Sequence, residues 1–228
     1  MLGKLIVIEG IDGSGKTTQK DLLVERFKRL GKEVETIHFP RHGQKFFGLM
    51  VDQYLNNEFG DAAKLDPRIT TLLFAGDRWE AKEQLDQWLN QGKIVILDRY
   101  TTSIMGHQLA KIEDNKRKDD FLKWLEDLEF ETYKLPRPDL VVYLSVDIEI
   151  IYELMKSRSS HDKEYINGSH DGLERDSEHL KKAKAAYEYS LSKYPYWRKI
   201  DCTVDGKLLT IEEVHGRVWK EVVSLLDD

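Results

Sequence analysis

The sequence lacks the features that mark a secreted or membrane-spanning protein. Its 228 residues include one cysteine, so no disulfide can form within the chain. Its apolar runs, such as 5–8 and 140–144, are far shorter than the roughly 20 residues that cross a bilayer. The N-terminal segment has neither the apolar region nor the cleavage site of a signal peptide. These absences predict a soluble, cytoplasmic protein without membrane contact.

An excess of positive charge is also missing. The chain carries 35 Lys and Arg against 41 Asp and Glu, a net charge of −6. Its surface as a whole therefore does not attract nucleic acid, although a small anionic ligand is allowed if cations gather at one site. The 40% of hydrophobic residues argues against disorder. Because no internal repeat or Pro/Ser-rich linker is present, we expect one domain over residues 1–228.

Short apolar segments alternate with longer helical patterns along the chain. Strands are predicted at 4–9, 33–39, 93–97, 139–146 and 198–204, and helices at 16–30, 45–57, 66–90, 121–128, from 147 and at 211–226. This alternation is typical of an α/β fold with a five-stranded parallel sheet flanked by helices. Residues 156–172 hold few large apolar side chains, which predicts a mobile lid over a site or, alternatively, an ordinary surface loop.

A glycine-rich segment between the first strand and the first helix matches the phosphate-loop pattern G-x-x-x-x-G-K-[ST]. Its backbone N–H groups and the following helix N-terminus can bind phosphate oxygens. Lys16 can reach the β- and γ-phosphates of a nucleotide, and the Thr17 hydroxyl can bind Mg²⁺. The motif predicts a three-layer P-loop NTPase fold with an ATP site formed by Gly10, Asp12, Gly13, Ser14, Gly15, Lys16, Thr17 and Thr18. By itself it does not separate kinases, ATPases, GTPases and sulfotransferases.

Further segments, taken in order, resemble those of thymidylate kinases, whereas the N-K-x-D motif of GTPases is missing. The resembling segments are 8–19, 39–41, 73–78, 97–100 with Ser103, and 171–176. The resemblance implies a single P-loop kinase domain that transfers the γ-phosphate of ATP to dTMP, giving dTDP and ADP for dTTP synthesis. It further implies Mg²⁺ as cofactor, ATP and dTMP as the ligands, and a homodimer.

The resemblance also implies which residues bind dTMP. Phe74 would stack on thymine, and Arg78 would donate to a thymine carbonyl or to the substrate phosphate. Arg99 and Arg41 would hold that phosphate, and Asp12 would lie near the sugar and the metal. The remaining members of the implied pocket are Phe39, Pro40, Ser103, His107 and Gln108. His107 stands where the family often has a tyrosine near C2′ of the sugar, which leaves the strictness of deoxyribose selection open. From the residues alone, Phe74 could equally be a core residue and Arg78 a surface arginine paired with Asp77 or Glu80.

The catalytic residues implied by the resemblance are Lys16, Arg99, Arg158 and Asp12. Members of the family without a basic residue in the phosphate loop supply one from the lid, and Gly13 places this chain in that group; Arg158 is favoured over Lys163. Asp98 ends a buried strand beside the phosphate-loop strand, where a carboxylate can hold Mg²⁺ together with Thr17. Two alternatives stay open: a kinase for another nucleotide or deoxynucleoside, and a non-catalytic nucleotide switch.

Overall fold

A computed structural model describes residues 2–159 and 170–227 of the chain, with side chains described from 2 to 154 and from 178 to 226. In this part of the chain, five parallel strands form a sheet in the order β2-β3-β1-β4-β5. Their bounds are β1 Lys4–Glu9, β2 Val34–His38, β3 Ile94–Asp98, β4 Leu140–Ser145 and β5 Trp197–Asp201. The prediction of a five-stranded parallel sheet is confirmed.

The inner strands are buried on both faces. Every residue of β3 and β4 is buried, and so are all but the first residue of β1. Parallel strands of this kind need helices on both sides, which explains why they read as continuous apolar runs rather than as alternating patterns. Because Ile8 pairs with Asp98, the carboxyl ends of β1 and β3 lie next to each other. The loops that follow them therefore meet at one edge of the sheet.

The helices lie between and beyond the strands. They are α1 Lys16–Arg29, α2 Lys45–Leu55, α3 Pro67–Glu80, α4 Lys82–Asn90, α5 Thr102–His107, α6 Asn115–Glu126, α7 Ile148–Ser159, α8 His170–Leu191 and α9 Ile211–Asp227. A π-helical segment, Asp127–Thr132, continues α6. None of the described helices combines the length and the apolar composition needed to cross a bilayer.

Several predicted boundaries were wrong for identifiable reasons. The single helix expected over 66–90 is two helices that meet at Ala81. The helix expected over 121–128 begins at Asn115, because the Asp114 carboxylate accepts from the Arg117 backbone N–H at 2.9 Å and caps it. The strand expected over 198–204 stops at Asp201, and the following residues form a hairpin of β6 Thr203–Val204 and β7 Lys207–Leu208. Neither α5 nor α8 was predicted.

The predicted lid, 156–172, is helical at both of its ends. The helix α7 extends to Ser159, and α8 begins at His170. The ordinary-loop interpretation is therefore wrong for these ends. Residues 160–169, including Lys163, lie outside the described residues, and so does the side chain of Arg158. The prediction that the segment is a mobile lid is accordingly not tested.

One close contact anchors α8 against α5. A Cβ added at Gly106 would lie 2.2 Å from the ring of Tyr187, so only a glycine permits this approach. The Tyr187 ring also stacks on Tyr143 of β4, with 5.1 Å between the ring centroids. Through these contacts, the C-terminal half of α8 is fixed to the same sheet edge that carries the phosphate loop.

Candidate active site

The phosphate loop occupies the sharp turn between β1 and α1. Gly10, Gly13 and Gly15 have φ values of 153°, 81° and 86°, in the region that disfavours L side chains. A Cβ added at Gly10 would lie 2.5 Å from Ser14 Oγ and 2.8 Å from the Leu144 carbonyl oxygen. The backbone therefore requires glycine here, and the chain turns tightly into the N-terminus of α1.

Lys16 lies inside this turn and is 7% exposed. Its Nζ donates to the Ile11 carbonyl at 2.8 Å and lies 4.0 Å from Asp12 Oδ1. Burial, followed by the charge of Arg99, lowers the pKa of Lys16 to about 8. A cavity of about 230 Å³ lies beside it, lined by Asp12, Gly13, Gly15, Lys16, Thr17, Thr18, His38, Asp98 and Arg99. Eight of the predicted ATP, metal and catalytic residues thus share one small cavity with His38.

Asp98 and Thr17 meet as a candidate metal site. Thr17 Oγ1 donates to Asp98 Oδ2 at 2.6 Å, and His38 Nδ1 lies 3.4 Å from the same oxygen. Burial would raise the pKa of Asp98, but the hydrogen bonds from His38 and Thr17 outweigh it and lower that pKa. The other oxygen, Oδ1, is buried and has no hydrogen-bond partner among the described residues. An ionised carboxylate with one unused oxygen beside a hydroxyl fits the hard oxygen ligands that Mg²⁺ prefers.

No group of three or more His, Cys, Asp and Glu side chains suited to a metal occurs in the described part of the chain. A Mg²⁺ ion held by Thr17 and Asp98 would therefore complete its shell with water and nucleotide phosphates. This is the usual arrangement for Mg²⁺ in nucleotide sites, because the ion gives up its waters reluctantly.

Arg99 follows β3 in a left-handed backbone conformation with a φ of 69°. Such strain at a non-glycine residue is typical of functional sites. The guanidinium donates through Nη2 to Asp12 and through Nη1 to His107 Nε2 at 3.0 Å. Burial would raise the pKa of Asp12, but Arg99 and then Lys16 outweigh it, and the pKa falls to about 2. Arg99 and Asp12 therefore face each other as an ion pair at the mouth of the phosphate loop.

His107 joins Arg99 to helix α8. Because Nε2 accepts from Arg99, the ring proton must lie on Nδ1, which is 3.2 Å from His179 Nε2. The two imidazole rings stack with 5.5 Å between centroids, and Tyr187 packs edge-on against His107. Burial, and then the Arg99 charge, lower the pKa of His107 to about 3. The ring therefore remains neutral at physiological pH.

A second, larger cavity of about 610 Å³ opens next to the first. Of the residues predicted to bind dTMP, it is lined by Asp12, Phe39, Pro40, Phe74, Arg78, Arg99, Ser103, His107 and Gln108. Residues that the sequence did not single out complete the lining: His38, His42, Tyr54, Leu55, Ala62, Ala63, Tyr100, Ile104, Lys111 and His179. The end formed by Phe74, Tyr54, Leu55, Ala62 and Ala63 is largely apolar apart from Gln108 and Lys111, and the end near Arg99 is polar. This division matches the two parts of a nucleotide.

Phe74 and Gln108 lie at the apolar end. Phe74 is partly buried and packs edge-on against Tyr54, with 5.7 Å between ring centroids, while still lining the cavity. Gln108 is hydrogen-bonded to Thr70 Oγ1 at 2.7 Å, which fixes its amide in the wall. Arg78 is 2% exposed and pairs with Glu129, so its interpretation as a surface arginine paired with Asp77 or Glu80 is wrong.

Arg41 is held away from the cavity lining. Its Nε donates to Asp77 Oδ1 at 2.9 Å, and its Nη2 donates to the Asp77 carbonyl at 2.7 Å and to Glu80 Oε2 at 3.3 Å. Asp77 and Glu80, which the sequence suggested as partners of Arg78, therefore pair with Arg41 instead. The phosphate contact that the resemblance implies for Arg41 stays a prediction.

Glu9 supports the site although the sequence did not single it out. It is fully buried, and its Oε1 accepts from the Tyr100 N–H, from Thr102 Oγ1 at 2.8 Å and from Ser103 Oγ at 2.7 Å. Its Oε2 accepts from the Tyr187 hydroxyl at 2.9 Å. An acidic residue at the end of an apolar strand is the signal that could have identified it, because buried carboxylates need partners.

Comparisons with known proteins give matches over most of the chain. The family model for thymidylate kinase matches residues 8–191. Thymidylate kinase from Mycobacterium tuberculosis is 34% identical over 183 residues, which cover 80% of this chain and 83% of that one. The Plasmodium falciparum thymidylate kinase is 30% identical over 223 residues, covering 98% and 91%.

A solved structure is similar over nearly the whole chain. Thymidylate kinase from Candida albicans superimposes with a TM-score of 0.71 at 30% identity, covering 98% of this chain and 92% of that one. The sequence, the fold and the arrangement of the site therefore lead to one conclusion: this chain is a member of the thymidylate kinase family.

Proposed function

We propose that the chain acts in the cytoplasm to transfer the γ-phosphate of ATP to dTMP, giving ADP and dTDP for dTTP synthesis. The single observation that carries this proposal is the junction of two cavities. The phosphate-loop cavity and the larger cavity share Asp12, His38 and Arg99 in their linings. A nucleotide switch needs one phosphate site, whereas a phosphotransferase needs two that meet, with a cation at the junction.

The residues at the junction fit the requirements of the transfer. The acceptor phosphate has a second pKa near 6, so at neutral pH it is a nucleophile without a strong base. One of its oxygens bonds to the γ-phosphorus while the bond to the ADP oxygen breaks. Lys16 and Arg99 would orient the two anions and offset the charge on the transferring group. Mg²⁺, held by Thr17 and Asp98, would supply further positive charge at the nucleotide phosphates.

The acceptor spectrum tests the proposed reaction. Purified protein with ATP and Mg²⁺ should convert dTMP to dTDP, with little product from dGMP, dCMP or thymidine. Activity on thymidine equal to that on dTMP would refute a monophosphate acceptor. Calorimetric titration with ATP and with dTMP distinguishes the kinase from a non-catalytic nucleotide switch. Binding of ATP without binding of dTMP would favour the switch.

The lid cation belongs to the same proposal. Gly13 leaves the phosphate loop without a basic residue at that position, so we assign Arg158 to the transferring phosphate when the lid closes. The Arg158→Ala variant should lose turnover far more than it loses affinity for either substrate. Lys163→Ala is the matched comparison. If Lys163→Ala loses more turnover than Arg158→Ala, Lys163 rather than Arg158 contacts the transferring phosphate. Unchanged turnover in Arg158→Ala would remove the assignment.

A homodimer is also proposed, with α2 and α3 at the interface. Six large apolar side chains are exposed on these two helices: Phe46, Leu49, Leu55, Ile69, Leu72 and Trp79. Exposed apolar residues concentrated on adjacent helices are typical of a surface covered by a partner. Light scattering after gel filtration should give twice the chain mass for the wild type and a monomer for Ile69→Asp. A monomeric wild type at micromolar concentration would refute the dimer.

A further inference from the structure

A buried ion pair adjoins the apolar end of the larger cavity. Arg78 of α3 lines that cavity, whereas Glu129, in the π-helical segment, is fully buried outside the lining. The Glu129 carboxylate accepts from Arg78 Nε at 3.0 Å and also from Nη2, so the two planar groups meet edge to edge. Arg78 Nη1 lies 3.5 Å from the Tyr100 carbonyl, a weak third contact.

Stability alone does not account for this pair. Taking two charges out of water costs several kcal/mol per ion, and apolar side chains of similar volume often replace such a pair without loss of stability. Burial in fact raises the pKa of Glu129, although the Arg78 charge opposes the rise. The π-helical segment that brings Glu129 inside is an uncommon element that occurs frequently at functional sites. These observations point to a role in ligand binding.

The geometry determines what Arg78 can offer a ligand. A guanidinium carries five N–H groups, and the three contacts above use three of them. Because Arg78 lines the cavity, the other two N–H groups could donate to a ligand there. Glu129 offsets the charge of Arg78, so these two N–H groups act mainly as directional donors. Directional donors without net charge suit an uncharged base carbonyl better than a phosphate dianion. The phosphate is left to Arg99, which lies at the junction of the two cavities.

We propose that Glu129 is a positioning residue for base selection, which holds Arg78 so that it distinguishes a pyrimidine 4-carbonyl from a 4-amino group. A 4-carbonyl accepts from the fixed N–H groups, whereas a 4-amino group directs its own N–H groups against them. A site built to make such a bond rejects the wrong ligand strongly, because its buried donors are left unpaired. The inference rests on the proposed function, since it takes dTMP as the acceptor.

The test compares acceptors that differ at C4. In Glu129→Gln, one of the two acceptor oxygens becomes an amide NH₂ group, which faces an N–H donor of Arg78. One hydrogen bond is therefore lost, and Arg78 loses its fixed orientation. The ratio of kcat/KM for dTMP to that for dCMP should fall at least about tenfold. We expect the change mainly as a higher KM for dTMP, with kcat and the KM for ATP preserved. Glu129→Asp keeps the negative charge, so its ratio of kcat/KM for dTMP to that for dCMP should fall less than the ratio of Glu129→Gln.

A matched control and clear outcomes complete the experiment. Glu35→Gln removes a carboxylate of β2 that accepts from Lys93 Nζ at 2.7 Å, and it should leave the ratio unchanged. A proportional loss on dTMP and dCMP in Glu129→Gln would show a purely structural role and overturn the proposal. If Glu129→Gln does not fold, Glu129→Asp decides, and an unchanged ratio there would overturn it as well. A wild type inactive on dTMP would refute the proposed function instead, and this inference with it.

Discussion

The substitution His107→Gln tests the neutral imidazole that connects Arg99 to α8. The amide oxygen of glutamine can accept from Arg99 Nη1, as Nε2 now does at 3.0 Å. Its amide N–H can donate toward His179 Nε2, which lies 3.2 Å from His107 Nδ1. Both hydrogen bonds are therefore kept, and what the substitution removes is the ability of residue 107 to bind a proton.

The expected effect follows from the difference in proton binding between the folded and unfolded chains. Burial, followed by the charge of Arg99, lowers the pKa of His107 from 6.5 to about 3 in the folded chain. Between these values the unfolded chain binds more protons, so the free energy of unfolding falls as the pH falls. The limiting slope is about 1.4 kcal/mol per pH unit. Between pH 7 and pH 5, the wild type should therefore lose about 2 kcal/mol more than His107→Gln.

Urea unfolding of both proteins at pH 7, 6 and 5 measures this difference. Other groups titrate equally in the two proteins, so their contributions to the pH dependence cancel. The difference between the two unfolding free energies therefore reports on residue 107 alone. The wild type should lose stability relative to the variant with each step toward acid, at an unchanged slope against urea. A difference that stays constant, within about 0.5 kcal/mol, from pH 7 to pH 5 would refute a neutral, buried His107.

Four further predictions concern the two cavities and the buried carboxylate of Glu9 that supports them. ATP binding should weaken by up to about tenfold per pH unit above pH 8, measured as the KM for ATP, because burial and then Arg99 lower the pKa of Lys16 to about 8. Asp98→Asn should lower turnover by about 100-fold or more, and part of the loss should be recovered by raising Mg²⁺; full activity at low Mg²⁺ would contradict its role as a ligand. Phe74→Ala should raise the KM for dTMP about tenfold while leaving the KM for ATP unchanged, since base stacking on an aromatic contributes about 1–3 kcal/mol. Glu9→Gln should lower the free energy of unfolding by about 2–4 kcal/mol in urea, because four donors lose a charged acceptor.

The phosphate loop and the sheet were predictable because their signals are local. The glycines, Lys16 and Thr17 act through backbone geometry that a short segment defines by itself, and the inner strands are continuous apolar runs. Asp98 could be placed for the same reason, since it ends a strand beside β1. The contacts of Arg41 could not be foreseen, because Asp77 lies 36 residues further along the chain.

Other parts of the site depend on packing between distant segments. Glu129 turns inward only because α6 passes into a π-helical segment, and no short sequence pattern predicts that change. His179 reaches His107 because Gly106 lets α8 approach α5 closely. The interpretation of 66–90 as one helix failed because the periodicity continues across Ala81 although the helix does not.

The central position of β1 has a consequence for how the chain folds during its synthesis. This first strand pairs with β3 and β4, which leave the ribosome about 90 and 135 residues later. The carboxylate that ends it, Glu9, finds its last donor in Tyr187, 178 residues away. Contacts at such separations form late, because the closure of long loops must come first. We therefore expect the nascent N-terminal third, which lacks the strands that β1 and β2 pair with, to remain without its sheet and prone to aggregation until β3 and β4 have emerged.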